Sequence, residues 1–211
     1  MGMDSLSKRY VSIDLSTSND RLASDIDYVV LDNYVTNYIK QSKADYAIGG
    51  YLEHRNLYAT SAHFDQEGKR DIHLGIDIWT KANHPIYAPL DGIIHSFAYN
   101  DQPLDYGYTL IIEHQYHTHR FYTLYGHLSA QHYQSWFVGQ RINNGDIIAT
   151  LGDKLENGGW PPHLHFQVIM DMSDWSGDYP GVCHTKELQY YKNNCPNPLT
   201  LIHKKKHLPL K

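Results

Sequence analysis

Two histidines one residue apart, in Pro161-Pro162-His163-Leu164-His165-Phe166, are the residues here best spaced for chemistry. In a strand, side chains at i and i+2 share a face. The segment alternates as a strand should: Leu164, Phe166 and Val168 form an apolar row, and His163, His165 and Gln167 form the opposite one. A second segment, Arg70 to Trp79, alternates in the same way, with Ile72, Leu74, Ile76 and Ile78 against His73, Gly75, Asp77 and Trp79. His73 and Asp77 therefore share a face, but in a straight strand their α-carbons would stand about 13 Å apart. That is too far for one ion with bonds of ~2 Å. Gly75 lies midway and tolerates a kink or bulge, so the backbone is expected to bend there. With His165 added, the chain offers two imidazoles, one carboxylate and room for water, the donor set of an open zinc site of the catalytic kind.

Four segments together resemble the lysostaphin-type zinc endopeptidases, the LytM or duplicated-hybrid-motif family. His73-Leu74-Gly75-Ile76-Asp77 is similar to that family's H-x-G-x-D motif, and His163-Leu164-His165 to its H-x-H. Tyr125-Gly126-His127-Leu128-Ser129 resembles its segment with an additional active-site histidine, and Gly145 to Gly152 its glycine-punctuated hairpin. They occur in the family's order over about residues 70 to 170. The resemblance implies a mainly β fold, an antiparallel sheet or flattened barrel-sandwich hybrid with an N-terminal helix added. It implies a metalloendopeptidase with one zinc per chain, held by His73, Asp77 and His165, acting on peptide cross-links of bacterial peptidoglycan. His127 would then stand beside the metal rather than on it. His163, one strand period from His165, is suited to hold or deprotonate the water, and His127 to stabilise the oxyanion or protonate the leaving amine. The sequence does not say which histidine takes which role. Most relatives approach the H-x-H pair through Ser/Thr-Gly-Pro, whereas this chain has Gly158-Gly159-Trp160-Pro161-Pro162, so Trp160 either lines a groove or caps the sheet edge.

Composition is compatible with this and excludes other classes. The 211 residues are 41% apolar and 19% charged, ordinary for a globular chain with one sizeable core. A net charge of -5 argues against a nucleic-acid footprint, and Lys204-Lys205-Lys206 reads as a short solvated tail. No apolar stretch approaches the ~20 residues of a membrane span. The N-terminus, Met1 to Tyr10, lacks the apolar core of a secretory signal, so the sequence as it stands reads as cytoplasmic, or as periplasmic or secreted by another export route. Two alternatives stay open: a cytosolic zinc hydrolase of another peptide or small amide, and a non-catalytic zinc-binding module. The two cysteines, Cys183 and Cys195, lack C-x-x-C spacing, and nothing in the sequence gives an oligomeric state.

Three regions follow. Residues 1-46 are expected to be a helical segment packed on the domain, its start marked by Ser24 followed by Asp27, with Ile26, Val30, Tyr34 and Tyr38, filled in by Val29, Val35 and Ile39, on an apolar stripe to about Gln41. Residues 47-200 form the peptidase domain, opening with strand-like runs to Thr60, and 201-211 a basic tail. The hairpin Gln140 to Gly152 also resembles lipoyl or biotinyl carriers, but Lys154 lacks their flanking pattern for a modifiable lysine. The second H-x-H, His117-Thr118-His119, interrupts two apolar runs and reads as an exposed hairpin tip. His84, His95, His114 and His132 read as surface or edge residues.

Overall fold

A computed structural model describes residues 9–22, 27–55 and 70–205. The readings at Ser24 and Ile26, at the strand-like run beyond Arg55, and at Lys206 onward lie outside these residues.

Strand alternation builds one eight-stranded sheet. In chain order its strands are β1 (Tyr10–Ile13), β2 (Tyr46–Gly49), β4 (Ile76–Trp79), β6 (Gly92–Asn100), β7 (Gly107–Tyr116), β8 (His119–Leu128), β9 (Arg141–Ile142) and β11 (His163–Ile169). Across the sheet they run β1-β2-β4-β11-β8-β7-β6-β9, antiparallel throughout except for the parallel β1–β2 pair. Two ribbons flank it, β5 (Pro85–Tyr87) with β10 (Ile147–Thr150), and β3 (Ile72–His73) with β12 (Val182–Cys183). The expected mainly β architecture is therefore present, with a parallel pair at one edge.

The break between β3 and β4 at Leu74-Gly75 is the bend that the His73–Asp77 spacing requires. A β-carbon at Gly75 would lie 2.8 Å from the His165 ring and 2.8 Å from the Phe166 carbonyl oxygen, so only glycine lets the strands close to this distance. Register then sets the site: β11 places His165 opposite Asp77 on β4 and opposite Gly126 on β8, and His163 opposite Trp79.

Beneath this face Ile76, Ile78, Leu164 and Phe166 are fully buried in the main core with Leu110, Ile112 and Tyr125. Side chains of this size each contribute about 1.5–3 kcal/mol on burial, so the floor of the site is stiff. Alternation predicts one wet face for β11, yet all seven of its residues are buried. The Tyr106 loop, distant in sequence, and the Pro180–Val182 segment that follows β11 cover the polar row.

Ahead of the domain, α1 (Tyr28–Gln41) starts at Asp27, whose carboxylate accepts from the Val30 N–H at 2.9 Å. Its buried face is Leu31 and Val35; Val30, placed on the stripe by the sequence, is 48% exposed. The 1-46 region is not purely helical, because β1 pairs with β2 and joins the sheet. Its apolar residues cluster with Trp79 and Trp160, which ties this region to the site. At the other end α2 (Leu188–Asn194) is followed by α3 (Leu199–Lys205), which crosses the 200/201 boundary. Ile202 is buried in the main core, so the start of the expected tail is docked helix.

Candidate metal centre

His73, Asp77 and His165 bring three donor atoms together. His73 Nε2 is 3.2 Å and His165 Nδ1 3.1 Å from Asp77 Oδ1, and the two nitrogens are 3.0 Å apart. Donors bound at ~2.0–2.2 Å around a tetrahedral ion stand about 3.3 Å apart, so the triangle is close to the right size. Among the described residues these three are the group of histidines, cysteines and carboxylates arranged to hold a metal.

The protons fit as well. His73 Nδ1–H donates to the Gly50 carbonyl at 3.0 Å, which leaves Nε2 bare. Gln167 donates its amide N–H to the Pro180 carbonyl, so its own oxygen faces His165 and takes the Nε2–H at 2.9 Å, leaving Nδ1 bare. These tautomers are assigned from the hydrogen-bond partners. Three lone pairs thus converge with no proton between them, an arrangement that is repulsive until a cation enters.

Burial holds His73 down to about 4, with the Arg55 guanidinium adding to it. For Asp77 burial works the other way, but the His73 and Arg55 charges outweigh it and hold the carboxyl well below the usual range. His73 and Asp77 are therefore in their ligating protonation states at neutral pH.

Two further histidines adjoin the triangle. His163 Nδ1–H donates to the Pro161 carbonyl at 2.8 Å, so its bare Nε2 lies 3.8 Å from Asp77 Oδ1. Trp79, its cross-strand partner, stacks on it at 4.0 Å. His127 is one ring further out, 4.2 Å between centroids, and its Nδ1–H donates to the Asn157 carbonyl at 2.9 Å. Burial holds His163 down to about 4, and burial together with His163 and His165 holds His127 well below its ordinary value. Both are neutral bases at pH 7.

His127 is also held in an unusual backbone conformation, φ +63°, at roughly 1–3 kcal/mol for a non-glycine residue. Its N–H donates to the Tyr106 carbonyl at 2.8 Å, and its carbonyl accepts from the Gly152 N–H at 2.9 Å. These bonds aim the ring at His163.

All five sequence-predicted residues line one cavity of about 250 Å³. Trp160 lines it too and is buried in the apolar cluster that holds Trp79 and Ala47. Sequence reasoning missed Arg55, whose Nη1 donates to Asp77 Oδ2, and it gave no role to Gln167. Gln167 was visible as the third member of the polar row; Arg55 had no spacing signal.

Other expectations resolve separately. His117 and Thr118 form the exposed turn between β7 and β8. His114 corrects the surface reading: it is buried, bonded to the Asp91 carbonyl at 2.8 Å and to Thr123 Oγ1 at 2.7 Å. Cys183 and Cys195 are buried and free. Lys154 lies in an exposed turn, with its ammonium 5.1 Å from the centre of the Tyr28 ring.

Residues 71–175 match the model of peptidase family M23. Over 104 residues the chain is 29% identical to the peptidoglycan DD-endopeptidase ShyC of Vibrio cholerae, a match covering 49% of this chain and 22% of that protein. The chain thus spans less than a quarter of that relative. Among solved structures it is similar to LytU, at 25% identity and a TM-score of 0.43, with 66% of this chain and 79% of that one covered. It is also similar to the catalytic domain of the antimicrobial peptidase lysostaphin from Staphylococcus simulans, at 19% identity and a TM-score of 0.39, with 58% and 80% covered.

Proposed function

Because residues 71–175 belong to peptidase family M23, we propose that this protein is a zinc-dependent metalloendopeptidase that hydrolyses amide bonds in peptidoglycan cross-links. The observation that carries the reading is the convergence of three bare donor atoms at ion-sized spacing, with two neutral histidines beside them in one cleft.

His73, Asp77 and His165 would hold the zinc. When bound, it supplies a Lewis acid that polarises the scissile carbonyl and brings the pKa of water toward ~7. The remaining work falls to this chain's own side chains. His163 offers its bare Nε2 nearest the donor triangle and takes the proton of the attacking water. Its N–H bond to Pro161 and the Trp79 stack keep the ring from turning. His127, also bare at Nε2 and packed against His163, takes over that proton and passes it to the leaving amine. Trp160 and Tyr106 wall the cleft and limit the water beside the scissile bond.

Peptidoglycan lies outside the cytoplasm, so the protein is proposed to act in the periplasm or beyond it, in place of the cytoplasmic expectation. No helix among the described residues is long and apolar enough to cross a membrane. The reading is tested by metal analysis of the purified chain and by digestion of isolated peptidoglycan alongside short peptides. One zinc per chain is expected, together with release of soluble fragments that stops on chelation and returns with zinc. Cleavage of the short peptides alone would move the substrate to another amide, and a metal-free, inactive chain would remove the reading.

A further inference from the structure

Each donor of the triangle is held from behind by a different support. The Gly50 carbonyl takes the His73 N–H, the Gln167 amide oxygen takes the His165 N–H, and Arg55 Nη1 donates to Asp77 Oδ2 at 2.5 Å. Gly50 and Arg55 lie ahead of the stretch that matches the peptidase family. Their segment is nevertheless bonded to the site's own strand. The Leu52 N–H donates to the His73 carbonyl at 2.8 Å, the His73 N–H to the Glu53 carbonyl at 3.0 Å, and the Arg55 N–H to the Asp71 carbonyl at 2.9 Å. The Glu53 carboxylate joins two regions, accepting from the Leu15 N–H at 3.1 Å and from Arg55 Nε at 2.6 Å. A continuous chain of bonds therefore runs from Leu15, just past β1, through Glu53 and Arg55 to the ligand carboxylate. Arg55, at 1% exposure, is closed off from water.

We propose that Arg55 is a positioning residue of the metal centre: by occupying Oδ2 of Asp77 it leaves only Oδ1 for the ion and so keeps a coordination position open. The inference rests on the metallopeptidase reading. A catalytic zinc site needs three protein ligands and one place for water, and a carboxylate with both oxygens free can close on the ion beside that water, adding a fifth donor that crowds the place the substrate must take. Arg55 prevents this with a charge-assisted bond, while a different nitrogen of the same planar group is fixed by Glu53. Lysine cannot copy the arrangement, because its ammonium is a point charge without the rigid fork that reaches both carboxylates.

The test uses the full chain at saturating cobalt(II) in place of zinc, so that changes in affinity drop out. Visible cobalt absorption is strong in four-coordinate sites and weak in five- or six-coordinate ones, and it reads the site without reference to any substrate. The wild-type chain should give the strong spectrum. Arg55→Met should give a weaker one with hydrolysis at least tenfold lower, and Arg55→Lys should fall between. A merely structural role would lower the melting temperature and leave the spectrum of the folded protein unchanged. An unaltered spectrum and rate in folded Arg55→Met would overturn the inference. If that variant does not fold, Arg55→Lys decides in the same way, since it keeps the buried positive charge. A wild-type chain that takes up no cobalt overturns the metallopeptidase reading itself, whereas a normal wild-type spectrum matched by the Arg55 variants overturns only the role given to Arg55.

Discussion

The chain carries two His-x-His pairs, and the fold treats them in opposite ways. His163 and His165 sit in a strand with hydrogen-bonded neighbours on both sides, and each is 3% exposed. His117 lies in the turn between the longest two strands and His119 follows it; both are exposed, and His117 adopts a φ of +52°. The spacing is identical, but only the first pair has an aspartate across one strand boundary and a glycine across the other. Chemistry at such a pair comes from neighbours that remove water, fix the tautomer and supply the third ligand.

Mutations can break this contrast, and the largest effect is expected at the ligands. His165→Ala or Asp77→Ala should abolish stoichiometric metal and all hydrolysis, while His117→Ala and His119→Ala leave both intact. Metal analysis decides it, and full occupancy in either ligand mutant would show that the donor set is misplaced.

Next come the neutral histidines beside the triangle. His163→Ala and His127→Ala should keep the metal while hydrolysis falls by ~10²-fold or more, the scale of a lost general acid or base. Zinc lost along with activity would make them ligands instead.

Gly75→Ala tests whether strand closure matters as much as residue type. Its new methyl would meet the His165 ring and the Phe166 carbonyl at 2.8 Å, so we expect weaker metal binding and a stability loss of roughly 1–3 kcal/mol. A melting curve and metal titration matching wild type would show that the bend has slack.

The pH dependence is smaller and concerns the metal-free protein. His73 and His163 are held at about 4 in the folded chain, mainly by burial, against an unfolded value near 6.5. Between these values the unfolded chain binds more protons, so stability falls as the pH drops from about 6.5 to about 4. Asp77, held well below its ordinary value, contributes stability that is lost only at still lower pH. Melting temperatures of the apo protein that stay flat from pH 7 to 4 would contradict the buried neutral state. The smallest effect is at the exposed pair, where His119→Ala should change stability by no more than about 0.5 kcal/mol.

The two pairs also mark how far the residues alone could be read. Alternation separates apolar from polar rows whatever the strand packs against, so β11, the bend at Gly75 and the exposed hairpin tip were legible, as was the set His73, Asp77 and His165. Burial was less so. His114 has the same local signature as a surface histidine, and its interior place depends on Thr123 of the next strand. The parallel pairing of β1 had no local signal, because the strand it joins is more than thirty residues away.

What the sequence determined by itself is therefore which residues share a strand face, His73 with Asp77 and His163 with His165, because side-chain alternation is a local property of the backbone. The tertiary structure alone decided which nitrogen of each histidine is bare, that His127 sits in a left-handed conformation facing His163, and that Arg55 takes the second oxygen of Asp77. Each of these depends on a carbonyl, amide or guanidinium brought in from elsewhere in the chain, such as Gly50, Asn157 and Pro180. Such contacts form only when distant segments close over the sheet and exclude water, and no spacing along the sequence encodes them.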